Sequence, residues 1–193
     1  MNEELEREIA GHLAAGQLAA AATAALHTLG PQILGYLAVT LRDDDAAYEV
    51  FGQFSEQLWK SIATFRGDSS FKTWAYKLVM HSVSRYRRDG FRRRGRALVT
   101  SEALEIADEV CSRTAPYRQT AVKDRFSRLR EALAPEEQTL LFLRVDQQMA
   151  WSDVAAVLAG GGEAVDAVTL RKRFARVKAR LRQLAIREGL IES

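Results

Sequence analysis

FRGDSSFKTWAYKLVMHSVSRYRRDGFRRRGR, residues Phe65 to Arg96, opens as a polar turn, runs on as an amphipathic segment and ends in seven arginines between Arg85 and Arg96 against the single acid Asp89. Projected at about 100 degrees per residue, Phe71, Trp74, Ala75 and Leu78 fall on one side of a helix. Lys72, Tyr76, Lys77, Met80, Ser84 and Arg87 fall on the other. The spacing predicts a helix from Phe71 to about Arg88 whose first side is core. The second side is polar yet carries a ring and a thioether, which a merely solvated face rarely needs. On charge alone, a solvated face and a polyanion-binding face remain equal alternatives.

Outward from this helix the apolar spacing stays helical, and alternating strand patterns bounded by turn residues are absent, so the chain reads as all-α. An Ala-rich helix is expected from roughly Glu4 to Leu29, closed by Gly30 and followed by a second helix opened by Pro31 and running to the acidic turn RDDD. From Asp45 to Phe65, Val50, Phe54, Leu58 and Ile62 recur four apart and form one apolar stripe. The pattern weakens beyond Asp89, with a short helical possibility around Ser101 to Val110, and residues 97–120 read as a flexible linker. Further helices are expected near Ala121–Leu133, Pro135–Val145, Trp151–Leu158 and Val168–Arg187. In the last, Leu170, Phe174, Val177, Leu181 and Leu184 form a seam, with Lys172 and Arg176 on the far side. A short helix, a turn and a longer basic helix make the pattern of a helix-turn-helix; a basic helix that only caps the surface is the alternative.

Composition bounds the chemistry. With 193 residues, 47% apolar and 27% charged, the chain is long enough for one sizeable core or two small ones. No window approaches the roughly 20 apolar residues of a membrane span, and the acidic start MNEELEREIA is unlike a signal peptide, so a cytoplasmic protein without membrane partners is expected. One cysteine, Cys111, and the scattered His12, His27 and His81 give no expectation of a metal or other cofactor. There is no Gly-rich phosphate loop after a strand and no nucleophile beside a base, so an enzyme is not expected. Charge is polarised: Met1 to Lys60 holds nine acids and three bases, a balance of −6, while cations gather at Arg85–Arg96 and Arg171–Arg187. Two separated basic clusters suggest two contacts with a polyanion, nucleic acid being the commonest.

The stretch FRGDSSFKTWAYKLVMHSVSRYRRD resembles regions 2.3 and 2.4 of an extracytoplasmic-function (group IV, sigma-70 family) sigma factor of bacterial RNA polymerase. LAPEEQTLLFLRVDQQMAWSDVAAVL with VTLRKRFARVKARLRQL resembles region 4, in the expected order and separation. The resemblance implies two small helical domains: region 2 at 25–96 and region 4 at 121–193, with 1–24 an N-terminal helical extension. It implies a promoter-specificity subunit whose partners are core RNA polymerase and promoter DNA, and it brings an anti-sigma factor or a Ser/Thr kinase into view as regulators. Asp45, Glu49, Gln53, Phe54 and Glu56 would meet core polymerase. At the minus-ten element Tyr76, Met80 and His81 would meet unstacked bases. Lys72, Lys77, Arg85, Arg87 and Arg88 would meet phosphates, with Trp74 and Ser84 on the same segment. Arg92 to Arg96 would add a salt-sensitive, unspecific contact. Thr169, Arg171, Lys172, Arg173 and Arg176 would address the minus-thirty-five element, arginine being suited to bidentate pairing with guanine.

The chain departs from the family pattern in places. Where the family has an acidic DAED and Gln-Glu in region 2.2, this chain reads DAAYEVFGQF, with Tyr48, Phe51 and Gly52 at the changed positions. Either the neighbouring acids supply the missing charge from shifted positions, or phosphorylation at Ser55, Ser61 or Thr64 does, adding about −1.5 to −2 charges. His81 and Arg85 stand where the family commonly has Asn and an acid, which implies a changed minus-ten preference. The turn AGGGEAVDA is longer than usual, and Ala150 forgoes a side-chain cap. A helix-turn-helix regulator that never joins polymerase is the alternative expectation.

Overall fold

The first long helix of the N-terminal half does not end where its sequence invites it to. In the computed structural model, which describes residues 2–88, 103, 105–112 and 129–191, α1 spans Asn2–Ala14 and α2 spans Leu18–Leu41 without interruption. The break lies at Gly16, whose φ of 70° is a left-handed C-cap conformation, and Gln17 N–H donates to His12 O at 2.8 Å to close the turn. The expected stop at Gly30-Pro31 is thus corrected. Pro31 sits exposed within α2, and the helix continues because its other side is deeply buried: Ala25, Leu26, Ile33, Leu34 and Leu37 are inaccessible to solvent. Gly30 serves packing instead: a Cβ there would meet Val110 Cγ1 at 2.9 Å and the Phe51 ring at 3.2 Å.

Helix α3, Asp44–Ser61, is capped by Asp43, whose carboxylate accepts from Ala46 N–H at 3.1 Å. A 3-10 turn follows at Ile62–Thr64, then α4 at Phe71–Arg88. The stripe Val50, Phe54, Leu58 and Ile62 is buried as its spacing predicts. Residues 105–112 are helical, and Ala107 and Val110 join the core. The C-terminal half has α5 at Pro135–Leu141, a wider π-helical turn at Phe142–Asp146, α6 at Trp151–Gly160 and α7 at Ala167–Arg187. Pro135 opens α5, and the Glu137 carboxylate accepts from Ala134 N–H at 2.9 Å. The protein is all-α: among the described residues there is no strand, and no helix is long and apolar enough to cross a membrane.

Leu5 and Ile9 of α1 and the buried faces of α2, α3 and α4 belong to one apolar cluster that continues into Leu140, Leu143, Val154, Val157 and Leu170 of the C-terminal half. Leu133, Leu141 and Val177 form a small cluster of their own, against Phe174 and Leu181. The N-terminal helices and α5–α7 are therefore packed against each other, meeting at the polar side of α4 and at Tyr36 of α2.

Candidate nucleic-acid interface

Helix α4 starts where two acceptors meet its free N–H groups. Ser70 Oγ accepts from Thr73 N–H at 3.1 Å. The Glu6 carboxylate, reaching across from α1, accepts from Phe71 N–H at 2.9 Å and Lys72 N–H at 3.1 Å. A carboxylate suits this end of the helix dipole, so α1 fixes where α4 begins. At the other end Arg85, Arg87 and Arg88 occupy the last turn, where cations complement the dipole.

The apolar side of α4 is as its projection predicts. Phe71 and Ala75 are fully buried, Leu78 and Trp74 are half-buried, and Trp74 lies 5.5 Å from the Phe65 ring and 5.4 Å from that of Phe71. Those spacings favour tilted and edge contacts between rings, so Trp74 is a packing residue here.

The opposite side is covered rather than open. Lys72 is buried, and its Nζ donates to Gln147 O at 2.9 Å. Burial pulls the Lys72 amine below its ordinary value, against the opposing charge of Glu6. Tyr76 is inaccessible to solvent, and its ring meets Phe142 edge-on at 5.7 Å. Its hydroxyl has no hydrogen-bond partner among the described residues, and burial drives its pKa far up, with Tyr36 and Asp146 adding to the effect. Met80 is buried and receives a weak hydrogen bond from the Tyr36 hydroxyl at 3.8 Å. Ser84 donates to Gly161 O at 2.6 Å. Helix α6 comes this close because its end is glycine: a Cβ on Gly160 would meet the Lys77 backbone at 3.2 Å, and one on Gly161 would meet Met80 Cβ at 3.3 Å. The sequence AGGGEA reads as a long turn, but two of its glycines serve helix contact; only Gly162, with φ of 93°, is needed for the turn itself. The exposed members of the α4 set are His81, Arg85, Arg87 and Arg88, and Arg87 lies 3.7 Å from Glu136.

Helices α6 and α7 pack against each other across the turn between residues 160 and 167. Leu170 and Val177 are buried, Trp151 meets Phe174 at 5.4 Å, and the Arg144 guanidinium stands 5.0 Å over the Trp151 ring. Arg171, Lys172 and Arg176 are exposed on the outer side of α7. Thr169 and Arg173 are engaged within the protein. Asp166 caps α7 by accepting from Thr169 N–H and Thr169 Oγ1, both at 2.8 Å, and Arg173 is paired with Glu163. The backbone bond from Thr169, seconded by its hydroxyl, holds the Asp166 carboxyl below its ordinary value.

On α3, Asp45 and Glu49 are exposed, with Gln53 Nε2 donating to Glu49 at 3.2 Å and Glu56 held by Lys60 at 2.5 Å. Phe54 is fully buried, so it anchors this surface from beneath. Tyr48 is half-buried and Phe51 is in the core. Ser55 is buried and donates to Phe51 O at 2.9 Å; Ser61 is half-buried; Thr64 is exposed. Arg92 to Arg96 lie outside the described residues, as do most of 97–120 and of the expected helix near Ala121–Leu133. Among the described residues no group of three or more His, Cys, Asp or Glu could hold a metal ion.

Two contributors escape sequence reasoning. Glu6 looks like one acid in an acidic N-terminus, and Tyr36 like part of an apolar run. Tyr36 is in fact the bolt of the junction, stacked on Phe142 at 4.5 Å and hydrogen-bonded to Thr139 Oγ1 at 2.8 Å. Comparison of the chain with models of known families, with curated proteins and with solved structures finds no match.

Proposed function

We propose that the protein is an alternative sigma factor that binds core RNA polymerase and directs promoter-specific initiation. The observation that carries this reading is the paired presence of two cationic elements of different kinds on one helical frame. Helix α4 carries aromatic, thioether and cationic side chains of the kinds that suit unstacked bases and their phosphates, and of these His81, Arg85, Arg87 and Arg88 stand exposed at its end. Helix α7 stands second in a helix-turn-helix and presents Arg171, Lys172 and Arg176 outward, suited to a major groove. Their order and separation along the chain match the region 2 and region 4 pattern of the sequence resemblance. Asp45 and Glu49 on α3 are exposed acids suited to a basic polymerase surface, while Glu56 is engaged by Lys60.

Co-elution of the purified chain with bacterial core RNA polymerase, followed by run-off transcription from promoters selected in vitro, tests the proposal. Binding with specific run-off is the expected result. Thr64→Asp is the informative partner variant, because Thr64 is the accessible hydroxyl of the three candidates and Ser55 is sealed in the core. Binding by Thr64→Asp alone would point to a kinase-controlled sigma factor. The second reading, a helix-turn-helix regulator that acts without polymerase, is favoured by the burial of Phe51 and the half-burial of Tyr48 where charged and amide groups are usual. Duplex DNA binding through α7 with no polymerase association in either form would establish it.

A further inference from the structure

Resting on the reading of α7 as a helix that enters the major groove of duplex DNA, we propose that Val168 is a specificity-determining residue of that helix: its methyl groups pack against the 5-methyl of a thymine, so the recognised site carries a thymine next to the base pair that Arg171 reads.

Among the described residues Val168 is the most exposed large apolar side chain, at 58% against 44% for Val145, which comes next. A lone apolar residue on a surface is ordinary. The place of this one carries the argument. At about 100 degrees per residue, Val177 lies directly opposite Val168 on α7 and Leu170 nearly so, and both are buried. Val168 therefore stands on the outward side of the helix. Arg171 and Lys172, three and four residues on, are exposed about 60 and 40 degrees to either side of it. The first turn that carries Val168 is braced: Asp166 accepts from Thr169 N–H and from Thr169 Oγ1, both at 2.8 Å, and Glu163 pairs with Arg173. A β-branched side chain also holds one strongly preferred rotamer in a helix, so the methyl groups of Val168 are presented in a nearly fixed position. Valine in water is a poorer helix former than alanine, and burial of its methyl groups against a partner would offset that. The flanking cations decide what the partner is. Arg171, Lys172 and Arg176 are exposed together and suit a polyanion. On the base edges of a major groove the apolar group is the thymine 5-methyl, and residues at the start of a groove helix are the ones that reach those edges. Three residues advance about 4.5 Å along a helix, a little more than one base step of about 3.4 Å, which sets the thymine beside the pair read by Arg171.

The test begins with selection from a random duplex DNA pool by the full-length chain, alone and joined to core RNA polymerase. Affinity for the enriched duplex is then measured by anisotropy, with each thymine replaced in turn by deoxyuridine, which removes only the 5-methyl. Wild type, Val168→Ala, Val168→Thr and Arg171→Ala are compared, and circular dichroism checks that their helix content is the same. One deoxyuridine position is expected to weaken the wild type about fourfold, the effect of a single buried methyl group. Val168→Ala should bind the thymine and deoxyuridine duplexes equally at that position, and Val168→Thr, which keeps one γ-methyl, should retain part of the discrimination. A merely structural role for Val168 would weaken both duplexes alike, so the non-additivity of the two deletions is the decisive reading. An equal deoxyuridine penalty in wild type and Val168→Ala, no penalty at any position, or an enriched site without thymine would overturn the role of Val168. Weaker binding by Arg171→Ala in those cases would leave α7 a groove helix. The absence of any enriched duplex, or binding that neither Val168→Ala nor Arg171→Ala changes, would remove the reading of α7 and the role of Val168 with it.

Discussion

Glu6 illustrates how much one side chain can carry. Its two carboxylate oxygens satisfy two of the free N–H groups at the start of α4 from a helix more than sixty residues earlier. Glu6→Ala should cost about 1 to 2 kcal/mol, as the removal of a cap does, read as a lower urea midpoint with an unchanged slope. Glu6→Gln, which keeps one acceptor, should lose less. Asp166 acts more locally, and its contribution has a definite pH dependence. Its folded-state pKa lies below the unfolded value, so the cap stabilises the protein above the unfolded pKa and the contribution disappears as pH falls through the folded one. Urea midpoints followed from about pH 5 down to about pH 2 should therefore drop more steeply for the wild type than for Asp166→Asn, which cannot ionise. Parallel profiles would show that Asp166 contributes no proton-linked stability.

At the scale of the element, α2 offers adjacent residues with opposite expectations. Gly30→Ala brings better helix propensity, worth about 1 kcal/mol, but places a methyl group 2.9 Å from Val110 Cγ1 and 3.2 Å from Phe51. Overpacking of this kind costs about 1 to 3 kcal/mol, so crowding should win and Tm should fall. Pro31 is exposed and lacks the N–H that His27 O would accept within the helix. Pro31→Ala should raise Tm, by an amount reduced because proline also restricts the unfolded chain. Helix α7 shows the same separation of duties around its circumference: Leu170 and Val177 hold it down, Thr169 and Arg173 brace its start, and Arg171, Lys172 and Arg176 remain outward. Replacing these last three by Ala should weaken duplex DNA binding and lower the slope of log affinity against log salt by about 0.9 for each phosphate that is no longer neutralised. An unchanged slope with weaker binding to selected sites only would mark them as base readers instead.

At the scale of the molecule, the two halves share a core, so unfolding should follow one cooperative transition. Phe142 is the keystone, touching Tyr36 at 4.5 Å and Tyr76 at 5.7 Å. Phe142→Ala should cost about 3 kcal/mol and separate the denaturation curve into two steps as the halves uncouple. A single step in the variant would mean that the apolar residues around it suffice to couple the halves. Whatever holds Phe142 against Tyr76 also keeps Tyr76 and Lys72 from solvent.

Helical periodicity was legible throughout, because a residue three or four places along a helix shares its face wherever the chain goes. The α3 stripe, the α4 core side and the α7 seam could be read without knowing any partner. The exposed cations of α7, Arg171, Lys172 and Arg176, were legible for the same reason. Gly30-Pro31 misled, because a stop signal is only a local preference and the burial of Ala25, Leu26, Ile33, Leu34 and Leu37 along α2 overrides it. The polar side of α4 was recognisable as a face distinct from the core side, but what covers it was not. Periodicity says which side chains lie together, whereas the meeting of Lys72 with Gln147, Ser84 with Gly161 and Tyr36 with Thr139 joins residues 75 to 103 positions apart. Such meetings have no signature in local spacing; they follow from the shape the helices make when their apolar sides are buried together, and only the tertiary structure decides them.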